Sequence, residues 1–531
     1  MNLRTKTTSH TTRLALLLLL VAMPLEHVRG AEDKKVRDAA VAGAFYPSDA
    51  KELTAMMDAM LAEVRLPASD GTILAAVAPH AGYVYSGPVA AYTYAALKGH
   101  TYKRVVVIAP SHFIGFDFTS VYDGNAYRTP LGEVLVDKAF AHKLAKMDAS
   151  IRLSGTGHTP TAAGGEHALE VQLPWLQHTI GSFELVPIVM GDQSYEASRA
   201  LGVALAKMIA EEKKHGGEGE TLVLASSDLS HYHPYNDAVA IDHKSLAALK
   251  AWDYFSMSRN FQSRVWEACG GAPIVAAMIY AEHMGATRAE VLKYANSGDT
   301  SGERSRVVGY SADLFVKAVE KADAETPFSL SAEEKKELLT IARKSVESAV
   351  SHGESYEPEA PKSDALNRES GAFVTLTEAG ALRGCIGYTA AVEPLYLTVS
   401  DVAAYAALRD PRFPPVTVDE LPKLAYEVSV LSPLKHVMNV DEIEVGRDGL
   451  LMKNGKSEGL LLPQVPTEEG WDRKTFLEQT CVKAGLKREC WKEEGTDIFR
   501  FSAVVFHEDK RLAQSPSATY PEEIMLHGEV L

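Results

Sequence analysis

Three apolar runs in this chain are each followed within a few residues by a histidine: Val77-Ala78-Pro79-His80, Ile108-Ala109-Pro110-Ser111-His112 and Leu224-Ala225-Ser226-Ser227-Asp228-Leu229-Ser230-His231. Imidazole can ligate a metal or move a proton near neutral pH. A thiol joins them in Trp266-Glu267-Ala268-Cys269-Gly270-Gly271-Ala272-Pro273, just before an apolar helical run. A helix N-terminus and a nearby cation both favour thiolate, the form a metal needs. Two imidazoles with one anionic ligand and open positions is the pattern of non-haem iron sites, and thiolate softens it toward copper or zinc. The expected metal site is built from His80, His112 and Cys269, with His231 and Asp228 beside it. Asp228, three residues before His231, either orients that ring, accepts a substrate hydrogen bond, or merely caps the turn. Taken singly, a histidine after a strand is more often a hydrogen-bonded loop residue, and a cysteine before a helix a small buried hydrophobe. Repetition at three strand ends favours a shared site.

Two further pairs stand near these motifs. Tyr83 and Tyr85 follow His80 at alternate positions, so an extended segment would turn both into one cleft, with core packing as the alternative. His167 and Glu170 fall on one face of an expected helix, where Glu170 reads as a packed or solvated residue. Tyr85 and His167 are the expected substrate-binding residues.

The elements that must position these groups follow from the hydropathy pattern. From Lys35 to Lys321, β-rich runs at residues 73–77, 105–108, 185–189, 222–224 and 307–316 alternate with helical stretches. Continuous apolar strands of this kind indicate an α/β domain whose sheet is covered by helices on both faces. Ligand sites in such sheets lie just past the carboxyl ends of the strands, where the three histidines fall. The stretch 321–331 lacks periodicity, and a helix is expected to start at Ser331, with Glu334 at capping-box spacing. The domains are thus expected at 35–321 and 331–510, the second a smaller α+β unit with strands at 373–376 and 425–431 and a helix at 473–484.

Bulk properties narrow the function classes. The 531 residues carry 54 basic and 70 acidic side chains, a formal charge of −16, so a field that would gather nucleic acid is missing. Arg4, Lys6 and Arg13 precede an apolar run from Leu14 to Met23, and Val28-Arg29-Gly30 precede Ala31. Residues 1–30 thus read as a signal peptide for export to the periplasm or the extracellular space. The run is too short to span a bilayer comfortably, and no later segment reaches spanning length.

In the second domain, Leu382-Arg383-Gly384-Cys385-Ile386-Gly387-Tyr388 places a thiol between glycines beside an arginine, a setting for close backbone approach to a ligand or for a tight turn between strands; spacing alone favours the turn. Arg383 and Cys385 are its candidate site residues. Leu477, Cys481 and Ala484 share a helical face, so Cys481 reads as core, and Cys490 is close enough in sequence to pair with it in an oxidising compartment.

Pro79-His80-Ala81-Gly82-Tyr83-Val84-Tyr85-Ser86-Gly87, Ser111-His112, Gly165-Glu166-His167-Ala168-Leu169-Glu170 and the Ser226–His231 run together resemble the Memo family. That resemblance implies a fold similar to the class III extradiol dioxygenases, whose iron is held by two histidines and a glutamate beside an acid/base histidine. His80 and His112 fall on the ligand positions, Cys269 on the third, and His231 on the acid/base. Cysteine in place of glutamate argues against catechol ring cleavage and leaves other oxygen chemistry. From Ser331 to His507, the motif around Cys385, Asp410-Pro411-Arg412-Phe413-Pro414, Gly459-Leu460-Leu461-Leu462-Pro463 and Gly470-Trp471-Asp472 resemble an AMMECR-type domain. The two families together resemble AmmeMemoRadiSam systems, which implies a functional link to a radical-SAM enzyme. A leader for export opposes a direct partnership, because iron–sulfur radical chemistry belongs to the cytoplasm. The leading expectation is a metal-dependent redox enzyme with iron or copper acting on a small molecule. The rivals are a non-catalytic metal or ligand-binding module and a zinc hydrolase.

Overall fold

The computed structural model describes residues 35–67, 71–160, 165–215, 220–318, 329–354, 356–389 and 393–508. The signal peptide at 1–30 and most of the expected interdomain stretch lie outside the described residues. The first domain is built on a nine-stranded mixed sheet. At its centre Thr72–Ala78, Glu220–Ser226, Tyr102–Pro110 and Glu184–Met190 lie side by side in that order, all parallel. Val307–Lys317 runs antiparallel along Thr72–Ala78 at one side, and Thr119–Val121 runs antiparallel to Glu184–Met190 at the other.

The central strands are apolar throughout because both faces are covered. Val77, Val106, Ile108 and Val186 face the helices Tyr195–Lys214 and Gly271–His283, whereas Ala76, Val105, Val107 and Leu224 face Ala50–Glu63, Tyr83–Leu97 and Gln172–Ile180. Each such fully buried valine, leucine or isoleucine side chain contributes about 1.5–3 kcal/mol. The sheet order has a direct consequence for function. The strand that leads to Asp228 and His231 lies between the two that lead to His80 and His112, so all three carboxyl ends open at adjacent positions.

Two local expectations are corrected. Tyr83 and Tyr85 are not extended; they open the helix Tyr83–Leu97. Two residues along a helix are about 200° apart, so Tyr83 is buried, its hydroxyl donating to the Val171 carbonyl at 2.6 Å, while Tyr85 is 46% exposed. His167 and Glu170 lie ahead of the helix Gln172–Ile180 in a turn, and they point to different partners. Glu170 is 0% exposed and takes hydrogen bonds from Arg37, from the Tyr46 hydroxyl at 2.6 Å and from the backbone of Ala40 and Val41.

The second domain opens with the helix Ala332–His352, whose N-terminus carries the reciprocal capping box of Ser331 and Glu334. Its first sheet is antiparallel, in the order Ala381–Tyr388, Ala372–Glu378, Leu424–Leu431 and Ala503–His507. A second sheet pairs Lys435–His436, Asp497–Phe501, Gly449–Asn454 and Ser457–Leu461 in turn. The helix Arg473–Lys483 buries Leu477 and Cys481, and Cys481 is disulfide-bonded to Cys490. Cys385 is not in a turn but in mid-strand. Its flanking glycines serve close approach: a Cβ on Gly384 would lie 2.1 Å from the Ala406 carbonyl of the helix Leu395–Leu408, and one on Gly387 would meet the Phe373 ring at 2.3 Å.

The domains share one apolar cluster, in which Tyr195 and Phe255 of the first meet Phe499 and Phe501 of the second. Polar contacts reinforce the junction: the Tyr195 hydroxyl donates to Asp497 at 2.8 Å, Arg199 Nε to the same carboxylate at 2.6 Å, and Lys244 pairs with Glu369 at 2.6 Å. Among the described residues no helix is long and apolar enough to cross a membrane.

Candidate metal centre

His80 lies on the first turn past its strand and is 1% exposed. Its Nδ1 is 2.9 Å from the Ser226 hydroxyl at the end of the neighbouring strand. Ser226 donates its single proton to the Ala168 carbonyl at 2.6 Å and also accepts from Gln172 Nε2 at 2.7 Å. Nδ1 of His80 must therefore be the donor, which leaves the Nε2 lone pair facing the cleft. Burial, and then the neighbouring His112, hold the His80 imidazole well below its ordinary range, so it stays neutral.

The same logic sets His112. Its Nδ1 lies 2.9 Å from Glu166 Oε1, and its backbone N–H donates to Oε2 at 2.6 Å. Burial by itself would raise the Glu166 carboxyl, but hydrogen bonds and charge from His112 outweigh it and hold the group at about 2. An ionised carboxylate only accepts, so His112 Nδ1 donates and Nε2 is again free. Glu166 Oε1 also takes the backbone N–H groups of His167 and Ala168. His167 stacks on His112 with ring centroids 4.8 Å apart, and burial followed by the two neighbouring imidazoles lowers it to about 4. One ring nitrogen from each of His80, His112 and His167 lies within 4.8 Å of the others.

Cys269 approaches from the opposite side, with Sγ 3.0 Å from His80 Nε2 and accepting the Asp228 backbone N–H at 3.3 Å. Gly270 makes this approach feasible, since a Cβ there would sit 2.2 Å from the Ser226 carbonyl. Burial, and then the Asp228 carboxylate, push the Cys269 thiol up. A metal ion in the cleft would reverse that balance, as coordination deprotonates a thiol.

Asp228 serves His80 and Cys269. Its Oδ1 accepts the His80 backbone N–H at 2.7 Å, and burial raises its carboxyl. The orientation of His231 comes from Leu229, whose carbonyl accepts from Nδ1 at 2.8 Å, so the lone pair of this ring too sits on Nε2. Glu267 fixes the segment from below by accepting the His231 backbone N–H at 3.1 Å and bonding His233 at 2.9 Å.

The sequence-expected residues His80, His112, Cys269 and Asp228 are thus brought together by direct contacts, and His231 is within electrostatic reach of His80 and Asp228. His167, expected to touch substrate, lies inside the ligand-sized cluster, while Tyr85 stands exposed at the start of its helix. Ser226, Glu166 and Glu267 were not anticipated. The available signal was a polar residue closing an apolar strand, for Ser226, and an acid next to His167, for Glu166. In the second domain Arg383 is tied to Glu420 at 2.7 Å, and Cys385 is 2% exposed with its thiol pushed up to about 11 by burial.

The donor chemistry fits a metal ion: ring nitrogens of His80, His112 and His167 within 4.8 Å of one another, Nδ1 partners that fix the rings of His80 and His112, and one sulfur beside His80. A family described as Memo-like protein matches residues 37–314, and the AMMECR1 family matches residues 339–506. A MEMO1 family protein of Methanopyrus kandleri is 39% identical over 293 residues, covering 52% of this chain and 98% of that protein. A protein of Thermococcus kodakarensis is 46% identical over 182 residues, 32% of this chain and 89% of its own length. The crystal structure of an uncharacterized protein from Pyrococcus horikoshii aligns with 40% identity over 34% of this chain and 95% of that one, at a TM-score of 0.33. The family match across more than half of the residues, with relatives covered almost end to end, establishes that this chain belongs to the Memo family, its Memo-like domain being followed by an AMMECR1 domain.

Proposed function

We propose that the first domain is a metal-dependent redox enzyme acting on a small molecule, with iron or copper held by His80, His112 and Cys269. The observation that carries this reading is the common tautomer. Ser226 and Glu166 each engage an Nδ1, which leaves Nε2 of His80 and of His112 as the available donor atoms, and the Cys269 sulfur lies 3.0 Å from the first of them. When bound, such a metal would supply a site for substrate and oxygen together. The chain's own residues supply the rest. His231, with Nδ1–H committed to Leu229, accepts a substrate proton at Nε2. Asp228 holds the His80 backbone and the Cys269 segment in register. Phe45 and Phe113 flank His167, at centroid distances of 4.5 and 6.3 Å, and offer an apolar wall to an organic substrate.

A second reading, zinc-dependent hydrolysis, draws on His167. Three imidazoles within 4.8 Å form the ligand set of catalytic zinc sites that keep one position open for water. Export to an oxidising compartment is part of the proposal, supported by the Cys481–Cys490 disulfide; a functional link to a radical-SAM enzyme rests on the family pairing alone.

The test is elemental analysis of protein purified under metal-retaining conditions, for the wild type, Cys269→Ser and His167→Ala, with oxygen uptake measured on catechols and thiols. Iron or copper lost in Cys269→Ser, with uptake that His231→Gln abolishes, supports the redox reading. Zinc retained by Cys269→Ser and lost in His167→Ala supports hydrolysis instead. Metal content unchanged in Cys269→Ser sinks the ligand assignment, and metal binding with no turnover of any substrate favours a binding module.

A further inference from the structure

The turn at 166–170 supplies the partners of both imidazoles expected to ligate. The Glu166 carboxylate engages His112 Nδ1. The Ala168 carbonyl takes the Ser226 proton at 2.6 Å, and it is this that obliges His80 Nδ1 to donate. Whatever holds the turn therefore acts on His80 and His112 together.

Residues 36–46 lie against its other side. Val36–Arg37 pairs in parallel with the strand Ala126–Thr129, Arg37 opposite Tyr127, which fixes the Arg37 backbone. The guanidinium then turns inward and is buried. Its planar fork reaches several groups at once. Nε donates to the His158 carbonyl at 2.8 Å, one terminal nitrogen to the Glu166 carbonyl at 2.5 Å, and the other to the Asp38 carbonyl at 3.1 Å and to the Glu170 carboxylate. Glu170 in turn accepts from the backbone of Ala40 and Val41 and from the Tyr46 hydroxyl. Gly165 permits this approach, because a Cβ there would collide with that of Ala40. Further along, the Phe45 ring packs on His167 at a centroid distance of 4.5 Å, and its carbonyl accepts the Tyr83 N–H at 2.8 Å, just past His80. Glu166 is thus gripped from two sides, its carbonyl by Arg37 and its carboxylate by His112.

We propose that residues 36–46 are a strap that sets the metal centre, with Arg37 as a positioning residue that acts through the turn at 166–170 on the Nδ1 partners of His80 and His112. This rests on the metal reading above for the role of the two imidazoles, but the hydrogen-bonded path from Arg37 to the rings is independent of any ion. Lysine cannot replace Arg37, since one ammonium pairs with Glu170 but does not span to the carbonyls of His158 and Glu166.

The test uses full-length protein labelled with 15N-histidine, in which nitrogen chemical shifts report which ring nitrogen carries the proton, together with zinc affinity from chelator competition. In metal-free wild type, His80 and His112 should each be protonated at Nδ1 alone. In Arg37→Lys the proton should be shared between the two nitrogens of both rings, and zinc affinity should fall at least about 10-fold. Gly165→Ala, which lifts the strap without removing a charge, should do the same and keeps the test decisive if Arg37→Lys does not fold, as judged by circular dichroism. Leu205→Ala destabilises the opposite face of the sheet, away from the turn, and should leave the shifts unchanged. Wild-type shifts in folded Arg37→Lys and Gly165→Ala overturn the proposal. So does an equal change in Leu205→Ala, which would make the effect one of general stability. The metal-free shifts decide the role of Arg37 whether or not wild type binds zinc, so failure of the strap and failure of the metal reading are told apart.

Discussion

Replacing Glu166 by Ala removes the group that holds both the ring and the backbone of His112. Four hydrogen bonds disappear together: from His112 Nδ1 at 2.9 Å and from the backbone N–H groups of His112, His167 and Ala168 at 2.6, 2.9 and 3.0 Å. With no acceptor at Nδ1, the imidazole is free to rotate or to carry its proton on Nε2, which takes the lone pair away from the cleft. Loss of such an outer partner typically weakens metal binding about 10–100-fold, or about 1.4–2.7 kcal/mol. Glu166→Gln should fall between wild type and Ala. Its amide oxygen can still accept from Nδ1, but its NH2 then opposes the His112 backbone N–H. The assay is competition for zinc, or for ferrous iron under anaerobic conditions, against a chelator of known affinity, with near-ultraviolet circular dichroism to show that the variants are folded. If folded Glu166→Ala binds metal as tightly as wild type, His112 is not a ligand oriented by Glu166, and the tautomer argument for the centre fails with it.

At the domain junction, His436 lies 3.3 Å from Glu282 and 3.5 Å from Asp497. Burial alone would lower it, but hydrogen bonds and charge from the two acids outweigh that and raise it to about 9. A pKa raised above its unfolded value of about 6.5 contributes stability that is full below that pH and lost as pH climbs through 9. Thermal melts should therefore fall between pH 7 and 10, by up to about 3 kcal/mol, and His436→Gln should flatten that slope; an unchanged slope would place the titration elsewhere. Glu170→Ala leaves the Arg37 guanidinium, 3% exposed, without its carboxylate, and urea denaturation should show a loss of about 3–5 kcal/mol. Gly270→Ala drives a Cβ against the Ser226 carbonyl, so the segment carrying Cys269 must move. Metal affinity should fall although no ligand has been changed, and a normal affinity would mean that Cys269 is not positioned by this contact.

The distribution of what could be read early is instructive. Apolar runs at 73–77, 105–108, 185–189 and 222–224 mark strands because both faces of the sheet are buried and the pattern is local. Ser331 and Glu334 mark a helix start because a capping box is complete within four residues. Tyr83 and Tyr85 stayed open between a cleft and the core because alternation over three residues does not separate the first turn of a helix from a strand. The glycines around Cys385 were misread as a turn because their reason, the backbone of Leu395–Leu408 lying against them, is remote in sequence.

The sequence by itself determined that imidazoles stand at three strand ends, that a thiol precedes a helix, and that two domains of different pattern follow one another. These are statements about neighbours along the chain, set by periodicity and turn chemistry. Only the tertiary structure decided that the strand leading to His231 lies between those leading to His80 and His112, that Ser226 and Glu166 set the tautomers, and that the Cys269 sulfur lies against His80 and the Asp228 backbone. Sheet order and charge balance depend on groups brought together from 41 to 189 residues apart. At such separations side-chain spacing carries no information until the backbone has closed around them.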